Sequence, residues 1–270
     1  MKAVGEAMKK LLLALLLLLA LAGCKKKTEA ETESTPPPAQ TEAAPAPQEA
    51  ATPPVVGADE KAGPLDPKAI KPHNSTYAHS GLPPEEIAKV ALMHQARGEY
   101  QQALDVLAQG IAAHPESAAL YAVRGALYLQ LGQYSKAIAD LSKSLELHEN
   151  PDVLVNRALA YKAFGQKEDA LKDLNRALEL DPHHVAAWFN RGTLYLEEGK
   201  PELALPDLDR AVELAPDVAG PYFNRAVAKW QLGKKEEAIQ DLEKFIELAQ
   251  PSEWKETAKA LLEEWKNAEN

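Results

Sequence analysis

VAAWFNRGTLYLEEGKPELALPDLDRAVELAPDV, residues 185–218, is the stretch that decides the fold of this chain. Trp188, Gly192 and Tyr195 fall at offsets of four and three, so they share one face of a first helix. Glu198-Gly199-Lys200 then makes a turn, because glycine reaches positive φ without a steric penalty. Leu203, Ala204, Leu208, Ala211 and Leu214 stripe a second helix, which Pro216 and Asp217 bring to an end. Gly192, Ala204 and Ala211 are small enough to let the two helices approach closely, while the large side chains fill the space between units. Pro206 deletes one hydrogen bond inside the second helix and is expected to bend it locally.

The same unit recurs along the chain. Gly98, Gly132, Gly165, Gly199 and Gly233 are spaced by 34, 33, 34 and 34 residues. Each is followed at fixed offsets by an alanine (Ala103, Ala137, Ala170, Ala204, Ala238) and a leucine (Leu107, Leu141, Leu174, Leu208, Leu242). Aligned on the glycines, the units are 84–117, 118–150, 151–184, 185–218 and 219–252. The pattern aromatic–x₃–Gly–x₂–Tyr–x₃–Gly–x₄–Ala–x₃–Leu–x₂–Ala resembles the tetratricopeptide repeat, a helix–turn–helix unit of about 34 residues.

That resemblance implies an all-α chain: a right-handed α-solenoid of about five repeats over 83–270 that binds other proteins along a concave face. Trp254, Ala258, Leu261, Leu262 and Trp265 lie at helical spacing and predict a capping helix over 253–268. Repeat one departs from the pattern, with Ala91 and His94 where Gly and Tyr are usual and Gly110 where Ala is usual. In repeat five Phe245 replaces a small residue, as expected near a capped end.

The amino-terminal third is different in kind. Lys9 and Lys10 precede an uncharged, leucine-rich run from Leu11 to Ala22, too short to cross a bilayer core of roughly 30 Å. It ends in Leu21-Ala22-Gly23-Cys24, which resembles the lipobox of bacterial lipoproteins. The resemblance implies a signal peptide over 1–23, cleavage before Cys24, a diacylglyceryl group on the Cys24 thiol and acylation of the new amino terminus. An ordinary secretory signal is the alternative. Met8 begins a compact form of the same signal, so either Met1 or Met8 serves as the start. Cys24 is the only cysteine, which leaves no internal disulfide and no cysteine-cluster metal site. Lys25 directly after it, rather than aspartate, favours the periplasmic face of an outer membrane if the source has one.

Residues 24–82 read as a lipid-anchored disordered linker. Pro36-Pro37-Pro38, Pro45, Pro47 and Pro53-Pro54 break helices, and few large apolar residues are present to drive burial. The 56 residues from Lys25 to Ser80 would average about 40 Å end to end as loose coil. Without residues 1–23 the chain carries 39 acidic and 27 basic residues, a net charge of about −12. That excludes the clustered basic surface that nucleic-acid binding requires. His183-His184 are adjacent rather than at i, i+4, so they read as turn filler and not as metal ligands. With no phosphate loop and no nucleophile elbow, no enzyme, cofactor or metal is expected.

Comparing the repeats with one another separates scaffold from surface. Position 7 of the successive repeats is Val90, Arg124, Arg157, Arg191 and Arg225; position 23 is Val106, Asp140, Asp173, Asp207 and Asp241. Where the arginine is lost the aspartate is lost too, which predicts a direct Arg–Asp contact between the paired helices. Position 6 is Lys89, Val123, Asn156, Asn190 and Asn224. In tetratricopeptide proteins the first helices line the groove through positions 2, 5, 6, 9, 12 and 13, which implies a groove biased to repeats three to five. Its wall would comprise the three asparagines with Val155, Phe189 and Phe223, Leu159, Thr193 and Val227, and Lys162 and Trp230. An asparagine donates and accepts at once and so suits a peptide backbone. Alternatively, the asparagines recur because repeats are copies and serve packing alone. Position 2 carries no lysine, which disfavours the subtype that clamps acidic carboxyl termini.

The expectation is an envelope-anchored adaptor or scaffold whose groove takes peptides of other envelope proteins. The alternative is a self-assembling component of an envelope complex such as pilus or outer-membrane assembly machinery, its groove filled by another copy or by its own linker.

Overall fold

A computed structural model describes residues 81–250 and 253–268; the signal segment, Cys24 and the linker up to Ser80 lie outside them. Eleven helices and no strands are present among the described residues: α1 Pro84–Ala96, α2 Tyr100–Ala113, α3 Ala118–Gln130, α4 Tyr134–Leu147, α5 Pro151–Ala163, α6 Lys167–Leu180, α7 Val185–Glu197, α8 Pro201–Leu214, α9 Ala219–Gln231, α10 Lys235–Leu248 and α11 Glu253–Asn267. They form five helix hairpins and a final single helix, the architecture of an α-solenoid.

Each hairpin turns in the same way. The five period-marking glycines have φ between 69° and 88°. The residue after each donates its N–H to the carbonyl five positions back, as in Gln133 to Tyr128 at 2.8 Å and Lys200 to Tyr195 at 2.9 Å. This left-handed ending satisfies the last carbonyls of the first helix and reverses the chain within three residues. The first helices begin differently. Asn150 accepts from the N–H groups of Asp152 and Val153 at the start of α5, with Pro151 at the first helical position.

Packing follows one rule throughout. Each first helix touches its own second helix, the second helix of the preceding repeat and the neighbouring first helices; the second helices do not touch one another. The first helices therefore form a continuous inner wall, with the second helices splayed outside it. The side chains at positions 3 and 10 of the first helix face the preceding second helix, and Leu120, Leu127, Ala187 and Leu194 are fully or almost fully buried there. In repeat one these positions are Glu86, which pairs with Lys89 at 2.8 Å, and Met93, both suited to an end that no described repeat covers.

In repeats one, two and four the two helices of the hairpin meet where one of them lacks a side chain. A Cβ at Gly125 would stand 2.6 Å from Leu141 Cγ, and one at Gly192 would stand 2.8 Å from Leu208 Cγ. Repeat one reverses the arrangement: its second helix supplies Gly110, which admits Ile87 Cγ2 where a Cβ would meet it at 2.6 Å. That accounts for Gly110 where Ala is usual; Ala91 matches Ala158 and Ala226 at the same position of repeats three and five.

The fold corrects one reading of repeat four. Leu203, assigned to the buried stripe, is 52 % exposed, because it lies on the outward face of α8 with Glu202 and Pro206, while Pro201 and Ala204 of the same turn face inward. Pro206 lies inside α8, which runs on from Pro201 to Leu214, and its ring is on the exposed side.

The last helix follows the same register. Trp265 lies 35 residues after Trp230 and stacks on it, with ring centroids 4.3 Å apart and planes 6° from parallel. Ala258 and Leu262 of the same helix are buried with Ala238, Ile239 and Leu242 of α10. Glu256, Lys259, Glu263 and Glu264 face outward. Gly192→Ala is expected to cost about 1–3 kcal/mol by overpacking against Leu208. An unchanged urea midpoint would mean that α7 and α8 part without resistance.

Candidate peptide-binding groove

The wall that could face a ligand rests on four ion pairs. Arg124 donates from Nε to Asp140 Oδ2 at 2.6 Å and from Nη2 to Oδ1 at 2.8 Å. Arg157–Asp173, Arg191–Asp207 and Arg225–Asp241 repeat this fork with distances of 2.6–2.8 Å. Each pair joins the first helix of a repeat to its second. The carboxylates are buried and the guanidinium groups are about one-fifth exposed, as for Arg191 at 19 %. Hydrogen bonding to the aspartate raises the pKa of Arg124, Arg157 and Arg191, against the lowering effect of burial. At Arg225 burial is the largest influence and lowers it, yet Asp241 and Asp209 together still raise it. Aromatic rings complete the housing: Trp188 lies 4.9 Å from the Arg191 guanidinium and Tyr222 lies 5.4 Å from that of Arg225.

A second set of links joins one repeat to the next along the inner wall. At three joints position 12 of one helix meets position 13 of the next, 35 residues on. Gln95 donates to Gln130 at 2.6 Å, Lys162 pairs with Glu197 at 2.8 Å, and Trp230 stacks on Trp265. One structural position thus holds an amide bond, an ion pair and an aromatic stack.

These links reassign several side chains expected in the groove. Trp230 belongs to the joint with α11. Phe223 packs on Phe245, with centroids 5.2 Å apart, and joins the carboxy-terminal core. Val155 and Val227 are buried, at 5 % and 9 % exposure, because position 5 of repeat three and position 9 of repeat five turn toward the neighbouring helices. Lys162 is neutralised by Glu197 and offers no open cation.

The three asparagines differ from one another. Asn224 Nδ2 donates to Thr193 Oγ1 at 2.7 Å across the joint between repeats four and five, and Thr193 Oγ1 donates to Phe189 O at 2.8 Å. Asn190 Nδ2 donates to Ala186 O of its own helix at 2.8 Å. The Asn156 amide has no side-chain partner among the described residues. What remains of the wall is half-buried Leu159, Phe189, Thr193 and Leu196 beside Asn156 and Asn190, in repeats three and four.

His184 was misread as turn filler. Its Nδ1 accepts from Ala187 N at 3.2 Å and caps α7, so the ring proton is on Nε2, which donates to Asp152 Oδ1 at 2.9 Å. His183 is exposed; its backbone N–H donates to Asp181 Oδ1 at 2.9 Å. No group of three His, Cys, Asp or Glu side chains able to hold a metal ion occurs among the described residues. Nor is any described helix long and apolar enough to cross a membrane.

Models of the tetratricopeptide repeat match residues 118–151, 155–219 and 190–253. The chain therefore carries tetratricopeptide repeats, an interaction module that is generally non-catalytic. Among solved structures it is similar to PilF of Pseudomonas aeruginosa (19 % identity, TM-score 0.61, covering 66 % of this chain and 82 % of that one). It is also similar to MamA of Desulfovibrio magneticus RS-1 (19 % identity, TM-score 0.55, covering 63 % and 97 %). A third is YrrB, described as a TPR protein with an unusual peptide-binding site (25 % identity, TM-score 0.51, covering 63 % and 87 %). No curated protein sequence matches the chain.

The arginine forks predict a sign as well as a size. Asp207→Val strands the Arg191 guanidinium and should cost about 3–5 kcal/mol. Adding Arg191→Val reproduces the apolar pair of repeat one and should recover at least about 1 kcal/mol, read as a partial return of the urea midpoint. A double variant no more stable than the single one would remove this account of why the two residues are lost together.

Proposed function

We propose that this protein is an envelope-anchored adaptor that holds a neutral, apolar peptide segment of a partner protein against the inner wall of repeats three and four. The observation that carries the reading is that wall itself: first helices in unbroken contact, with the Asn156 amide uncommitted beside Leu159 and Phe189. A side-chain amide suits the paired donor and acceptor of a peptide backbone, and the half-buried apolar neighbours supply contact area. Neutralised Lys162 leaves the wall without a cation for a carboxylate terminus. The polar outer face of α11 weighs against end-to-end stacking of copies. The envelope placement rests on the lipobox-like Leu21-Ala22-Gly23-Cys24, where two or more acyl chains would anchor the protein firmly.

A photo-crosslinking residue placed at position 156 or 190 in cells should trap one defined protein, and the same residue at exposed Lys172 on α6 should not. A peptide from the trapped protein should then bind the purified chain, and Asn156→Ala with Asn190→Ala should weaken that binding about tenfold with helicity unchanged. Equal trapping from Lys172, or binding indifferent to the double substitution, would refute the groove. The anchor has a separate readout: Cys24→Ser should move the protein from the membrane to the soluble fraction, and continued membrane retention would exclude lipidation as the tether.

A further inference from the structure

The joints between successive repeats are unequal. Arg157, Arg191 and Arg225 each extend a third donor, Nη1, back to the second helix of the preceding repeat. It reaches Ser142 Oγ at 3.0 Å, Asn175 Oδ1 at 2.7 Å and Asp209 Oδ1 at 3.1 Å. All three acceptors stand at position 25 of their repeats. Repeat one has Ala108 there, so Arg124 Nη1 finds no hydrogen-bond partner among the described residues. A polar side-chain link between repeats one and two is the exposed Gln95–Gln130 bond, where water competes for both amides.

Two further deficits fall in the same repeat and come from other residues. Val90 and Val106 replace the arginine fork inside repeat one. Gln109 Oε1 in α2 is the one buried side-chain polar atom without a partner among the described residues, a desolvation cost that the closed state bears and water would relieve. Repeat one is therefore joined to the array by apolar packing, chiefly Ile87 and Leu107 with Leu120 and Leu127.

We propose that repeat one is a hinged end unit, α1 and α2 together, which opens from repeat two as one cooperative element while repeats two to five remain closed. Opening uncovers Leu120 and Leu127 of α3, which are otherwise almost fully buried. It also carries away Leu82, whose carbonyl accepts from His114 Nε2 at 3.0 Å. Residues 1–80 attach through Leu82, so repeat one is the element that yields between them and the rest of the array. Cooperative sub-global opening of this kind is how stacked repeats lose structure, one nearest-neighbour interface at a time.

Hydrogen exchange by mass spectrometry on the full chain tests the hinge. Amides of α1 and α2 should exchange together, about tenfold or more faster than the slowest amides of α9 and α10, which lie near the other end but carry the Arg225 links. Ala108→Asn, at an exposed position, gives Arg124 the acceptor that Asn175 gives Arg191; it should slow α1–α2 exchange about fivefold, the worth of one net hydrogen bond. Gln109→Met should slow it independently. Protection of α1–α2 equal to that of α9–α10 overturns the proposal, as does exchange unchanged in both variants, which would leave end position alone as the cause of fraying.

Discussion

In each of repeats three to five one guanidinium sets two angles at once. From position 7 it grips the aspartate of its own second helix with two parallel bonds, and with a third donor it reaches the preceding second helix. Three helices are thereby held about one planar, rigid group, which a lysine ammonium could not do with the same directional control. Hydrophobic burial supplies most of the stability but is indifferent to small rotations. The fork is what makes the hairpin angle and the step between repeats repeat themselves. The glycine turns permit the hairpins; the arginines decide how successive hairpins stand.

This division explains why some features were legible in the sequence and others were not. The five glycines and the joint loss of Arg and Asp in repeat one could be read directly, because each role is filled by a single residue type. The partner of the third donor could not, since Ser142, Asn175 and Asp209 share only an oxygen at the right height. The links between positions 12 and 13 were hidden for the same reason: an amide bond, an ion pair and an aromatic stack have no common letter, although their constant 35-residue spacing was there to be tested. Leu203 shows the opposite failure. Its apolar character suggested burial, but it stands beside Ala204 on the outward face of α8, with Glu202 and Pro206. Val155 and Val227 erred the other way, since they lie close enough to the edge of the inner face for neighbouring helices to cover them.

The candidate groove is best understood as what the scaffold leaves uncommitted. Every repeat offers similar positions on its inner face, yet in repeat five they are taken by Phe245, Trp265 and the Asn224–Thr193 bond. Closing the carboxy-terminal end with an aromatic stack thus removes repeat five from recognition. In repeats one and two position 5 is Ala88 and Ala122, too small to grip an apolar side chain. Only repeats three and four combine large half-buried apolar groups with an amide that no internal partner fully occupies.

The same uneven use of contacts gives the array a mechanical polarity. Its strongest directional links lie between repeats two and five, and its weakest joint lies next to residues 1–80. A pull arriving through those residues reaches Leu82 and its bond from His114 before it reaches any arginine fork. Energy put in at that end is therefore released by parting Ile87 and Leu107 from Leu120 and Leu127, a non-directional contact that can re-form without restoring a specific geometry. Repeats three and four stand behind the intact joint between repeats two and three and keep their wall. Recognition and compliance are placed at different stations along one repeated fold, and the substitution of a few polar residues by Val90, Val106 and Ala108 is sufficient to separate them.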